Sequence, residues 1–266
     1  MRPKAGARTM SRHSGFALAI SDEPLDSLSR RRPRLLRLGL WRRADLTELL
    51  DGPTADEAEV RVNLQDLARL NRLPGGTRSS IRAVAALPGA GIRPRVLDAG
   101  TGMADMPKAF ARRGWRTVAA DTHALVLDVA RAETANEPLV DVVEADCRDL
   151  PYSDAAFDVS HCSLLIHHLD PQDAVTTLRE LGRVARHGVV INDLRRGLLP
   201  FVATGVAVAL LSRCRTTRVD GLASVRRAYT LTELDQLLDR AGLRVVWRSS
   251  AWMPRVVTAA VRRTGR

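Results

Sequence analysis

Cysteine is scarce in this chain: Cys147, Cys162 and Cys214 are the three among 266 residues. An odd count without a CxxC pair argues against a disulfide framework and a structural zinc site, so no metal is expected. The three read as small buried hydrophobes in a reducing compartment. Long apolar runs are missing too. The early run Phe16 to Ile20 is shorter than the core of a secretory signal, and no stretch reaches the ~18 apolar residues of a membrane span. Lysine is nearly absent, two residues against 39 arginines, a bias that GC-rich coding produces. There is no GK[ST] loop, which excludes P-loop chemistry.

The formal charge of +11 suggests nucleic acid until it is divided along the chain. Residues 1–43 hold eleven basic and three acidic residues, whereas 44–266 hold thirty against twenty-seven. The body is nearly balanced, and the excess belongs to a basic tail that reads as solvated and disordered. Its first 21 residues also have the composition of an organellar transit peptide. The densest part, SRRRPRLLRLGLWRR, interleaves leucines with arginines, a pattern compatible with an amphipathic segment on an anionic surface. The expected location is cytoplasmic, with a membrane-peripheral one left open.

Helical spacing over 44–50 and 55–70, with Gly52 and Pro53 between, and a third helix over 79–87 predict an N-terminal helical cap at 44–94. From residue 95 the pattern becomes alternating. Strands are expected at 95–98, 116–120, 140–145, 157–162, 188–191 and 243–247, with helices between. Asp170 before Pro171 is an N-cap signal, and Thr230 with Glu233 a capping box. Strands alternating with helices predict an α/β fold: a doubly wound, Rossmann-like, mostly parallel sheet with helices on both faces. Residues 95–266 form that domain.

In such a sheet, ligands bind beyond the carboxyl ends of the strands. VLDAGTGMADM, residues 96–106, sits at such an end. Gly100 and Gly102 permit a tight turn and close approach of a ligand to the backbone. A dinucleotide fingerprint, G-x-G-x-x-G/A, would place a small residue where Asp105 stands, and a carboxylate there repels a diphosphate. The acids suit a ligand with a ribose, an adenine and a positive or zwitterionic group but no phosphate.

VLDAGTGMAD resembles the first motif of the class I S-adenosylmethionine (SAM)-dependent methyltransferases, with Ala104 in place of the third glycine. The resemblance continues through VAAD ending at Asp121, VEADCRDLPY, FDVSHCSLLIHHL and LRELGRVARHGVVINDL, in order over about residues 95–195. It implies a seven-stranded sheet and SAM as cofactor. Asp98, Gly100 and Gly102 would hold its amino-acid end, with Asp105 helping at the ammonium. Asp121 would take the ribose hydroxyls and Asp146 the adenine amino group. Cys147 would lie near the ring, and Ser163 by the transferable methyl.

A hydroxyl acceptor gains from a base. His167 or His168, paired with Asp193 after the fifth strand, is the candidate, with His167 favoured. The open alternative is that one histidine packs against the cofactor while the other faces solvent. The absence of [ND]-P-P-[YF] after strand four disfavours amino-nitrogen methylation. LLPFVATGVAVALL, residues 198–211, is either a buried helix or an apolar lid over a lipophilic acceptor. With the segment DGLASVRRAYTLTEL it resembles methyltransferases of quinone-biosynthesis type, some associated with phenolic or polyketide lipids. The resemblance implies a lipophilic small-molecule acceptor. Nucleic acid is disfavoured, although an RNA methyltransferase using the basic arm and a noncatalytic SAM-fold protein stand as alternatives.

Overall fold

In the computed structural model, residues 39–46, 57–73, 76–249 and 254–263 are described. Seven strands form one sheet: β1 Val96–Ala99, β2 Thr117–Asp121, β3 Val140–Glu144, β4 Phe157–Ser163, β5 Ala185–Leu194, β6 Leu243–Arg248 and β7 Arg255–Arg262. Their order is β3-β2-β1-β4-β5-β7-β6. The first five run parallel, and β7 is antiparallel to both β5 and β6. Strand β7 had no counterpart in the strand-by-strand reading of the sequence.

Helices α1 Glu57–Leu70 and α2 Thr77–Ala85 precede the sheet. Helices α3 Asp105–Ala111, α4 Ala124–Thr134 and α5 Pro171–Val184 are crossovers, and α6 Leu198–Leu211, α7 Arg215–Arg227 and α8 Leu231–Arg240 lie between β5 and β6. Local chemistry sets several of these limits. The Asp170 carboxylate accepts from the Gln172 and Asp173 amides, with Pro171 in the first turn, and the Thr230–Glu233 capping box is complete. Each cap is worth about 1 kcal/mol.

Alternation in β1 sends Leu97 and Ala99 to one face, where they meet Leu178 and Leu181 of α5 and Leu234 and Leu238 of α8. On the other face, Val96 meets Val84 of α2 and Met106 and Phe110 of α3. Both faces are therefore dry, as a parallel sheet requires. The carboxyl ends of β1 to β5 are left for chemistry.

Two expectations need correction here. The helix expected over 44–50 is not formed at residues 44–46, and its remainder lies outside the described residues. The tail boundary at 43 falls inside a docked segment. Leu40 is buried, and Arg43 donates to the carbonyls of Arg227, His167 and Leu169. Residues 1–38 lie outside the described residues.

Candidate active site

The turn after β1 is built from left-handed backbone: Gly100 has φ 66°, Gly102 57° and Ala104 57°. A Cβ on Gly100 would lie 2.9 Å from Leu165 Cδ1, so a side chain there would shift Leu165 in addition to meeting an unfavourable φ. A Cβ on Gly102 would meet only Leu64, at 3.8 Å, which leaves this backbone approachable. Ala104 pays about 1 kcal/mol for its left-handed conformation, and its methyl is fully buried. Asp121 clamps the turn. One oxygen accepts from the Gly102 amide at 3.3 Å and the other from the Thr122 and His123 amides, yet the side chain is only partly buried at the end of β2.

The Asp98 side chain lies enclosed beneath the turn. It is 1% exposed, with one oxygen 2.6 Å from His161 Nδ1 and the other accepting from Thr101 Oγ1 at 2.8 Å. Behind the ring, His161 Nε2 lies 2.9 Å from Ser80 Oγ, which also accepts from Asn192 Nδ2. His161 meets Phe110 edge-on at 5.3 Å. Asp98 thus holds the turn from beneath, through Thr101.

Asp105 opens α3 and accepts from Asn71 Nδ2 at 2.9 Å. Burial, reinforced by the charge of Asp98, raises its pKa despite that hydrogen bond. Arg255 sits beside it, donating through one nitrogen to Asn71 Oδ1 and through the other to Ser163 Oγ at 2.9 Å. Burial pulls this guanidinium down to about 10, against the opposing pull of Asp193 and Asp105. Neither Asn71 nor Arg255 was singled out in the sequence. The one signal for Arg255 is a lone cation opening the apolar run VVTAAV.

At the end of β3, both Asp146 oxygens bind Arg148, which also reaches Asp173. Arg148 hydrogen bonds hold its pKa below the usual carboxylate value, against the effect of burial. Cys147 lies with its sulfur 3.6 Å from Thr177 Oγ1, and burial raises its thiol pKa.

Past β4 and β5 the structure brings together the residues proposed for catalysis. His167 Nδ1 is 2.6 Å from one Asp193 oxygen, and the His167 amide donates to the other at 3.0 Å. Burial would raise the Asp193 pKa, but the facing imidazole and the hydrogen bonds from the His167 and Leu194 amides hold it below the ordinary value. His168 lies against His167 with ring centroids 4.2 Å apart. The short 3₁₀ turn Ile166–His168 that carries both is fastened by Arg43, by Arg227 on the His168 carbonyl and by Tyr229 on that of Leu169.

Both histidines border a cavity of about 120 Å³, comparable to the ~150 Å³ apolar cavity that takes up benzene. Leu67 and Leu70 of α1, Ala207 and Val208 of α6, and Leu164 supply apolar wall. Asp220 and Arg255 add polar groups. Leu164, at φ 55°, is a strained non-glycine residue. It lines the cavity while its neighbour Leu165 presses on Gly100, so this strained link joins the turn to the cavity. Just after α1, Asn71 holds Asp105 and Leu73 lines the cavity.

The turn carries two carboxylates, Asp105, with Arg255 beside it, and Asp121, and a Cβ-free approach at Gly102. Carboxylates so placed fit an ammonium and a ribose. The sheet order, the glycine turn after its central strand and the acid after the next are those of the class I SAM-dependent methyltransferase fold.

The comparisons agree. Residues 97–191 match the family described as a methyltransferase domain. Demethylmenaquinone methyltransferase of Clavibacter sepedonicus is 33% identical over 130 residues, covering 48% of this chain and 50% of that protein. The chain thus spans about half the length of this curated relative. Among solved structures, a SAM-dependent methyltransferase from Aquifex aeolicus superposes with a TM-score of 0.57 at 18% identity, over 78% of this chain and 98% of that one. Mitomycin 7-O-methyltransferase gives 0.52 at 20% identity, over 70% and 53%. These two likenesses show the fold.

Proposed function

We propose that the chain methylates a hydroxyl, or a ring carbon, of a lipophilic aromatic small molecule such as a phenol, quinol or polyketide. The observation that carries this reading is the His167–Asp193 pair set in the wall of an otherwise mainly apolar cavity. SAM, when bound, supplies an electrophilic methyl on a sulfonium, so the protein's task is to position the acceptor and exclude water.

The cofactor's amino-acid end belongs at Gly100, Gly102 and Asp105, and its ribose at Asp121. Asp193 holds His167 through Nδ1 and so orients its ring on the cavity wall. The imidazole takes the acceptor's hydroxyl proton, and the Asp193 carboxylate stabilises the charge that results. Apolar side chains from α1 and α6 hold the ring. The curated relative's name supports a quinone-type acceptor, and the mitomycin enzyme's name supports a hydroxyl.

The test is incubation of the full chain with labelled SAM and a panel of alkylated phenols and quinols. Label in the phenol or quinol supports the reading. Label only in RNA or protein, or SAM binding without any transfer, overturns it.

A further inference from the structure

Helix α6 separates the acceptor cavity from the outside, and both of its faces are apolar. Its inner face places Ala203, Thr204, Ala207 and Val208 on the cavity. Its outer face exposes Leu198 (45%), Val202 (53%), Val206 (55%) and Leu210 (78%), one residue every four, with Leu199 and Leu211 beside them. A buried helix, one of the two sequence readings, is therefore ruled out. Fourteen residues make this stripe about 21 Å long, and Val219 of α7, 50% exposed, adds to the apolar exposure just beyond the helix. Isolated exposed leucines need no explanation, but an aligned row of them marks an interaction surface.

The charges around the row identify the partner. Between Asp193 and Asp220 there is no acidic residue, while Arg213, Arg215 and Arg218 follow the helix. Arg213, Arg215 and Arg218 are exposed just beyond its C-terminal end. A second copy docked on this face would bring arginines toward arginines, and the basic N-terminal segment would do the same. An anionic lipid surface alone satisfies both parts: acyl chains for the row and headgroups for the guanidinium groups.

We propose that the outer face of α6 seats on an anionic phospholipid bilayer, lying in the interface without crossing it. Resting on the proposed lipophilic acceptor, the same contact sets the cavity one helix away from the phase in which such an acceptor dissolves.

Flotation of the full chain with vesicles tests this. Binding is expected to vesicles of phosphatidylcholine containing phosphatidylglycerol and to be about tenfold weaker on phosphatidylcholine alone. V206E/L210E and R213Q/R215Q/R218Q are each expected to weaken it by about tenfold or more. Val206 and Leu210 are exposed and do not line the cavity, so V206E/L210E should methylate a short, water-soluble phenol at the wild-type rate. Failure of the wild type to float, or binding untouched by V206E/L210E, overturns the proposal. So does binding that appears only after residues 1–38 are deleted, or a dimer that V206E/L210E dissolves without any vesicle binding. If vesicles are bound but no phenol or quinol is methylated, the docking stands and the acceptor reading falls.

Discussion

Two histidine–aspartate pairs lie at the carboxyl edge of the same sheet, each with Nδ1 2.6 Å from a carboxylate oxygen. Asp98–His161 is sealed: Ser80 closes the far nitrogen and Phe110 the ring edge. Asp193–His167 stands on a cavity wall, one strand further along. The same chemical pair thus does two jobs, and its surroundings decide which. Enclosed by α2 and α3, it is a rivet under the cofactor turn. With its histidine on a cavity wall, it is the base we propose for the acceptor's hydroxyl.

Mutating each pair in turn tests whether their roles differ. The largest effect is expected at the open pair. H167A and D193N should each lower kcat by about 10²–10⁴-fold while calorimetry finds SAM affinity nearly unchanged; normal turnover in both would end the contrast. At the sealed pair, H161A leaves a buried carboxylate without its partner. It should cost about 3–5 kcal/mol, read from the denaturant midpoint, and a variant that retains wild-type stability would show that the rivet holds nothing.

A smaller effect is expected above that rivet. G100A puts a methyl against Leu165 at a left-handed φ, a strain of about 1–3 kcal/mol, and SAM titration should show a loss that L165A partly restores. Acid stability offers a subtler separation. The Asp193 pKa is lowered on folding, so its contribution is present above the unfolded value of about 3.9 and is lost as pH falls through the lower folded value. Acid titration of D193N should lack that step. Least in size, D105N should raise Tm by a few degrees, because it removes a carboxylate that burial disfavours, while weakening SAM binding. A lower Tm would mean that the charge is needed by Asn71 and Arg255.

Much of the cofactor half was legible in the chain because its signals are local. The glycines, Asp105 and Asp121 belong to strand ends and turns whose spacing is written in consecutive residues. His167 with Asp193 was also within reach, since both follow neighbouring strands. The enclosure of Asp98 was not legible, because its partner, His161, lies 63 residues away and meets it only through the β1–β4 register. Nor was the pairing of Asp146 with Arg148, two residues on, read from the sequence. Arg255 could not be placed without β7, whose reversed direction brings its first residue to the active edge, opposite Leu194.

The alternation of strand and helix, the glycine turn and the order of its acids are written in the chain, since each follows from the preferences and charges of near neighbours. Tertiary structure alone decided which carboxylates are enclosed and which are open, how Arg255 joins Ser163 to Asn71, and which face of 198–211 meets the cavity and which meets the outside. Enclosure depends on what packs from distant parts of the chain, and an apolar helix carries no mark of which side its neighbours will cover.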